Sequence, residues 1–568
     1  MKNIDDKIFD RNLEALSQRN PELSAKIKSQ KNTDQRYTFQ KSRTGEIIPA
    51  LYDSKGTVYP LHSTVAPGRE AARLIDSIEG EGLLILMGLG GGYHAEAALK
   101  REGTALVLVI DYNMAGIAEL MRNCDYTALF RNTRFTLLVD PSDDELEKHI
   151  LKIYQPALYG GINLIPLRPR TNIDKDTFIN AGEVISLALD KVSADFSVQA
   201  HFGKRWFSNI IRNIENAGTF RTELHAINKA AIHRAAICAA GPSLSLQLKE
   251  LCEKKDDLYI IAADTALPCL IHGGVIPDAV ISIDCQHISY YHFMDGFPKN
   301  TLLFLDLVSP PSLASRSEIP FFFYGPHPLC RYISRFFKAL PELDASGGNV
   351  TYAALSLAEK LGASEIEIYG ADFSYPLGQS YAKSTYIHTY FEKRQSRFLS
   401  LEAQASAFLF KSPLEKYTGN DSWYYESQIL KFYREKLENK CSIMAAKITP
   451  IHGIGAPIKV GNPPVLKNQL NTSAESQSDF NYEIPAMSAG DFLLMYKNGL
   501  EKLPKPEKNA ADYICSLTID EQSLLNTILP TMAAIKQEHP MAEFREVFER
   551  TRLYCIAEIA EERLQNRR

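Results

Sequence analysis

Two short turns carry the residue types that hold phosphate: Gly241-Pro242-Ser243 and Ser346-Gly347-Gly348-Asn349, each opening a helical pattern. Gly241 removes a side chain where the backbone turns, and Pro242 suits the first helical position. Ser243 adds a hydroxyl to a helix terminus whose N–H groups lack partners. Such a terminus attracts anions, phosphate above all. Three carboxylates, Asp264, Asp284 and Asp372, end the apolar runs "LYIIAAD", "AVISID" and "EIEIYGAD", and Tyr375 and Tyr381 follow the last of them. Aspartates commonly cap helices, so none of these decides anything alone. Together, at the strand ends of one parallel sheet, they predict a nucleotide-type site, because ligands of open α/β sheets bind in the crevice at the carboxyl ends of the strands.

A second glycine-rich loop lies earlier. "GLLILMGLGGGYHAEAAL" passes from a buried strand through Gly88, Gly90, Gly91 and Gly92 into a helix, and the next strand ends at Asp111. Cofactor-binding Rossmann turns share this outline. Here the third glycine falls on Tyr93, and Leu86 replaces the acidic residue that often precedes a methyltransferase loop. The loop is therefore expected to be architectural. The Asp-x-Asp pair Asp174-Lys175-Asp176 lies outside the Gly241 region, so no tightly held metal is implied.

The elements that must position these residues read as α/β. The first 35 residues form an amphipathic helical lead, and "YTFQKSRTGEIIPALYDSKGTVYPLHS" reads as a hairpin about Asp53-Ser54-Lys55-Gly56. A Rossmann-like domain follows, and a helix over 181–214 bridges to a second α/β region. Its strands are "AAICAA", "LYIIAAD", "AVISID", "TLLFLDL", "FFFYG", "EIEIYGAD" and "CSIMAAK", the last ending near Lys447. Polar, breaker-rich 461–480 reads as a linker. Helical spacing resumes at Ser488, with a capping box at Thr518 and Glu521. The expected organisation is an N-terminal helix and hairpin region (1–75), a Rossmann-like domain (76–215), a central Rossmann-like domain (216–460), the linker, and a C-terminal helical domain (481–568).

Bulk properties narrow the class. The chain has 568 residues, 45% hydrophobic and 23% charged, which suits a globular protein of several domains. A formal charge of −5 argues against a nucleic-acid partner. No apolar run approaches the roughly 20 residues that span a bilayer. "MKNIDDKIFDRNLEAL" is too polar for a secretion signal. Nine cysteines are scattered without CxxC spacing and read as reduced core thiols of a cytoplasmic protein.

"YPLHSTVAPGREAARLI", "MGLGGGYHAEAAL", "CAAGPSL", "GGVIPDAVISID" and "YGADFSYPLGQSYA" resemble the motility-associated-factor (Maf) flagellin glycosyltransferases over roughly residues 8–460. The resemblance implies transfer of a nonulosonic acid, of pseudaminic, legionaminic or sialic type, from a CMP-activated donor to Ser/Thr hydroxyls of flagellin. It implies a central glycosyltransferase domain similar to bacterial CMP-sialic-acid transferases and no tightly bound cofactor. Carried over position by position, Gly241, Pro242, Ser243, Asp264, Asp284, Ser346, Gly347, Gly348 and Asn349 hold the nucleotide sugar. Asp372 ends the Gly-x-Asp-Phe strand, and Tyr375 and Tyr381 support the departing phosphate, each one position further from the aspartate than in those transferases. The general base is open between His388, closer to Tyr381 than the pattern expects, and His452, further away; His388 in "STYIHTYF" also reads as a packing residue. The C-terminal helices are expected to recognise the acceptor or assemble copies of the chain, and a homo-oligomer is left open. Two rival readings remain: a hydroxymethylpterin pyrophosphokinase-like enzyme, disfavoured because Asp284 stands alone where magnesium wants a carboxylate pair, and a non-catalytic flagellin-binding protein.

Overall fold

Runs such as Leu83-Leu84-Ile85-Leu86 and Ala279-Val280-Ile281 lack polar alternation, so both faces of the strands they form must be covered. In the computed structural model, residues 2–30, 34–219, 232–318, 320–418, 423–461, 484–507 and 509–565 are described. By contact the chain divides into two units. One comprises Met1–Gly203, Lys502–Leu525 and Leu529–Tyr554; the other comprises Lys204–Glu501, Asn526–Ile528 and Cys555–Arg568.

In the first unit, β1 (Tyr37–Lys41), β2 (Ile47–Tyr52) and β3 (Val58–Pro60) make an antiparallel meander. The expected hairpin therefore has a third strand, because Ser42 and Glu46 close an additional turn, N–H to carbonyl at 2.8 Å. The strands β4 (Gly82–Met87), β5 (Thr104–Asp111), β6 (Phe135–Val139) and β7 (Gly161–Pro166) form a parallel sheet in the order β6-β5-β4-β7. Leu84, Leu86, Val107 and Val109 face the N-terminal helices, while Leu83, Ile85, Leu108 and Ile110 face Phe178, Ala181 and Ile185. Those last residues lie on the helix Lys175–Thr219, longer at both ends than the sequence suggests, within which the division between units falls.

The second unit is built on β8 (Arg234–Cys238), β9 (Tyr259–Ala263), β10 (Ala279–Ser282), β11 (Leu302–Asp306), β12 (Pro320–Phe323) and β13 (Glu365–Tyr369). A small sheet of β14 (Tyr375–Pro376), β15 (Glu415–Thr418) and β16 (Trp423–Glu426) follows, then β17 (Lys447–Pro450). The large sheet is parallel, ordered β12-β11-β10-β9-β8-β13-β17. Chain direction across it reverses between β8 and β13, so the topological switch point lies at their carboxyl ends. The strand expected over "CSIMAAK" is corrected: Cys441–Ile443 end the helix Gln428–Ile443, and the strand begins at Lys447. Leu437, Cys441 and Met444 recur at helical spacing and are buried in one cluster, which overrides the apolar run.

The C-terminal helical region is divided by contact between the two units. Phe492 and Tyr496 are fully buried in the second unit, beside Phe337 (5.3 Å) and Tyr332 (5.5 Å). Tyr513 meets Phe548 at 5.4 Å in the first. Part of the apolar surface of these helices thus packs inside the units, while Leu494, Ile519 and Leu553 stay exposed. The linker, apart from Gly461, lies outside the described residues.

Candidate active site

β8 and β13 lie side by side, and their turns meet at one carboxylate. Gly241 N–H donates to the Gly370 carbonyl at 2.8 Å. A Cβ on Gly241 would run into that carbonyl and the Asp372 carboxylate, so Gly241 serves the chain's own close approach. Asp372, 5% exposed, accepts the Ser243 N–H at 2.8 Å and the Ser243 hydroxyl. Ser243 Oγ in turn accepts Ile454 N–H at 2.9 Å, and Gln247 donates to the carbonyls of Ile451 (3.2 Å) and His452 (3.0 Å). Burial raises the Asp372 pKa, against the pull of Ser243. The anion at this helix terminus is thus the chain's own Asp372. Sequence reasoning missed Gly453 and Gly455, whose missing side chains let loop 451–456 close over Ser243 and Asp372; the signal was Gly-x-Gly directly after β17.

The other carboxylates and both tyrosines form a second group. Asp264, 2% exposed, accepts Ser282 Oγ–H at 2.6 Å and Thr265 N–H at 2.7 Å; Asp284 accepts Gln286 N–H at 2.9 Å. Burial raises the Asp284 pKa and the neighbouring Asp264 charge adds to it, so Asp284 is not alone, contrary to the expectation. The Tyr381 phenol is pushed up to about 12, by burial first and then by Tyr375, Asp264 and Asp284. Burial raises Tyr375 as well. The tyrosine loop is pinned to the Gly241 turn by Ala382 N–H to Ala240 O (2.9 Å) and Lys383 N–H to Ser245 Oγ (3.0 Å). β14 adds the pairing of Tyr375 with Tyr425.

Tyr433, which nothing in its helical sequence pattern marked, joins this group. Burial and then the Asp284 charge raise its phenol. Its ring is what a Cβ on Gly348 would meet, at 3.0 Å, so Tyr433 connects Asp284 to the second turn. In that turn Asn349 caps the helix Val350–Lys360, accepting Tyr352 N–H at 3.0 Å, and Ser346 is held by Asp344 through its N–H (3.0 Å) and hydroxyl (2.6 Å).

The two candidate histidines are apart in their settings. His388 lies on the helix Tyr386–Lys393, none of whose residues is fully buried, with Nδ1 3.5 Å from Glu392 Oε1. Phe391 of this helix meets Phe408 (6.0 Å), which meets Tyr381 (6.5 Å). His452 instead lines a cavity of about 500 Å³ with Asp372, Gly453, Tyr417 and Tyr424.

The first glycine loop is filled by its own chain. Asp111 accepts Leu89 N–H (2.7 Å) and Tyr112 N–H (2.8 Å), and makes a wholly buried ion pair with Arg170 at 2.9 Å. His62 Nε2 accepts Gly91 N–H at 2.8 Å, and Tyr126 donates to Gly90 O at 2.5 Å. Asp174 pairs with Arg170 (2.5 Å) and Arg36 (3.4 Å). Among the described residues, no group of three or more His, Cys, Asp or Glu is placed to hold a metal ion, and no helix is long and apolar enough to cross a membrane. All nine cysteines are free; Cys515 is exposed and so departs from the expected core placement.

Residues 207–378 match the family described as 6-hydroxymethylpterin diphosphokinase MptE-like. An uncharacterized protein of Treponema pallidum (strain Nichols) is 34% identical over 166 residues, 29% of this chain and 78% of that protein. The chain belongs to one family with it. A second uncharacterized protein of the same organism is 33% identical over 151 residues, and the chain spans 54% of its length. The fold matches the solved structure of the Maf glycosyltransferase from Magnetospirillum magneticum AMB-1, with a TM-score of 0.58 over 99% of this chain and 96% of that one. At 14% identity this is a likeness of fold.

Proposed function

We propose that the second unit is a glycosyltransferase that moves a nonulosonic acid from a CMP-activated donor to Ser/Thr hydroxyls of flagellin. The observation that carries this reading is the grouping of Asp264, Asp284, Tyr375, Tyr381 and Tyr433 beside the Gly241 turn, on a fold shared with a Maf glycosyltransferase. In the transfer, the bond from the donor's anomeric carbon to the phosphate oxygen breaks, and its electron pair leaves with CMP. The acceptor hydroxyl oxygen bonds that carbon and gives its proton to a histidine. Tyr381 keeps its proton up to about pH 12, so at neutral pH it donates a hydrogen bond to the departing phosphate, with Tyr375 beside it. His388 suits the base, since Glu392, its Oε1 3.5 Å from Nδ1, can orient the ring. His452, on the cavity beside Asp372, is the alternative.

The test incubates the purified chain with CMP-pseudaminic, CMP-legionaminic or CMP-sialic acid and flagellin, following CMP release and sugar transfer. Transfer supports the reading; flagellin binding without CMP release from any donor leaves a non-catalytic binding protein. A second reading, pyrophosphoryl transfer from ATP to a hydroxymethylpterin, draws on the family match and on the Asp264–Asp284 pair. AMP formation with that acceptor would favour it.

A further inference from the structure

Ser289 and His292 lie on the 3-10 helix His287–Phe293, just after Asp284. Residues three apart in such a helix eclipse one another, so the two side chains share one face. Both are buried, at 1% and 7% exposure, and neither Ser289 Oγ nor His292 Nδ1 has a hydrogen-bond partner. Buried polar atoms are nearly always paired, and two orphans on one face call for a third party.

The surroundings define its chemistry. The 3-10 helix packs against the turn Asp264–Ala266, and His292 lies near the Asp284 carboxylate. On the other side the His292 ring meets Tyr386 edge-on at 6.3 Å, and Tyr386 stacks on Tyr291 at 4.7 Å. This face, made of a hydroxyl, an imidazole nitrogen and aromatic rings, calls for a neutral hydrogen-bonding group. A ring hydroxyl suits all of them: it accepts from the Ser289 hydroxyl and pairs with the unpartnered Nδ1 of His292, while its ring lies against aromatic faces.

We propose that Ser289 and His292 form a subsite for a ring hydroxyl of the activated donor, carried either by the ribose or by the transferred sugar. The proposal rests on the sugar-nucleotide reading of this crevice. The test titrates wild type, Ser289→Ala, His292→Phe and His292→Gln with CMP and with CMP-sialic acid by calorimetry, and records their ligand-free melting. Affinity should fall about 5- to 30-fold in Ser289→Ala and His292→Phe, and less in His292→Gln, which keeps an acceptor. Equal loss for both ligands assigns the hydroxyl to the ribose; loss for CMP-sialic acid alone assigns it to the sugar. Ligand-free Ser289→Ala should melt no lower than wild type, because it sheds an unpaired buried group. Unchanged affinity for both ligands, or a Ser289→Ala variant that melts several degrees lower, overturns the subsite. A wild-type chain that binds neither ligand overturns the sugar-nucleotide reading itself, and the subsite with it.

Discussion

Asp372 accepts both hydrogens that Ser243 can give, the backbone N–H at 2.8 Å and the hydroxyl. The two residues follow different strands, β8 and β13, which the sheet makes neighbours. One carboxylate thereby caps the helix Ser243–Lys254 and, through Ser243 Oγ and Ile454, holds the loop after β17.

Asp372→Asn places an amide where two donors already point, so one of them loses its acceptor. The second unit should lose about 1–3 kcal/mol, measured by urea unfolding. Ser243→Ala, which orphans Ile454 N–H, should cost less than additively in the double variant, as expected for residues in direct contact. Additive losses would mean that the two do not act as a pair.

Asp306, buried at the end of β11, has its carboxyl pushed up to about 7 by burial, with Val308 N–H (3.2 Å) pulling the other way. Unfolded, it titrates near 4. Between about pH 4 and pH 7 the folded chain therefore holds a proton that the unfolded chain has released. This contribution to stability is complete below about pH 4 and is lost as pH rises to about 7. The stability of wild type minus Asp306→Asn should fall across that window by at most about 1.4 kcal/mol per pH unit and be flat above it. A difference that rises with pH contradicts the assignment.

Arg170 and Asp111 are both wholly buried, so Arg170→Met leaves an unpaired carboxylate in the core of the first unit. The expected loss is about 3–5 kcal/mol, with much of it recovered in Arg170→Met/Asp111→Asn. Thermal shift should show no stabilisation of wild type by S-adenosylmethionine or NAD, because Arg170 and His62 occupy the places such a ligand would take.

In the proposed transfer, Tyr375→Phe and Tyr381→Phe each delete a hydroxyl that matters most as charge builds on the departing phosphate. Turnover should fall about 10- to 1,000-fold per tyrosine, with CMP affinity changed far less. Wild-type transfer rates in both variants would reduce the pair to scaffold.

Truncation at residue 480 removes Phe492, Tyr496 and Leu500 from the second unit's core. Near-normal CMP affinity, the expectation if these helices only met a partner, should give way to a chain that loses cooperative unfolding and CMP binding together. Circular dichroism melts on both forms decide it.

Apolar runs without alternation were enough to determine two parallel sheets with helices on both faces, since only that environment buries such strands twice. Strand-end aspartates and the Gly-Pro-Ser turn likewise pointed to the carboxyl edge of the second sheet, because that edge of an open sheet is where short loops converge. Local pattern failed where two periods compete: "CSIMAAK" is apolar enough for a strand, and only burial of Cys441 and Met444 beside Leu437 made it a helix end. It failed again wherever a residue's role is set by something distant in sequence. Gly241 looks like a ligand turn until Asp372 is seen to fill it, and Asp284 looks solitary until β9 and β10 pair and bring Asp264 alongside. Tyr433, Ser289 and His292 carry no sequence signal at all; pairing, burial and the lack of a hydrogen-bond partner are properties of neighbours in space, which only the folded chain supplies.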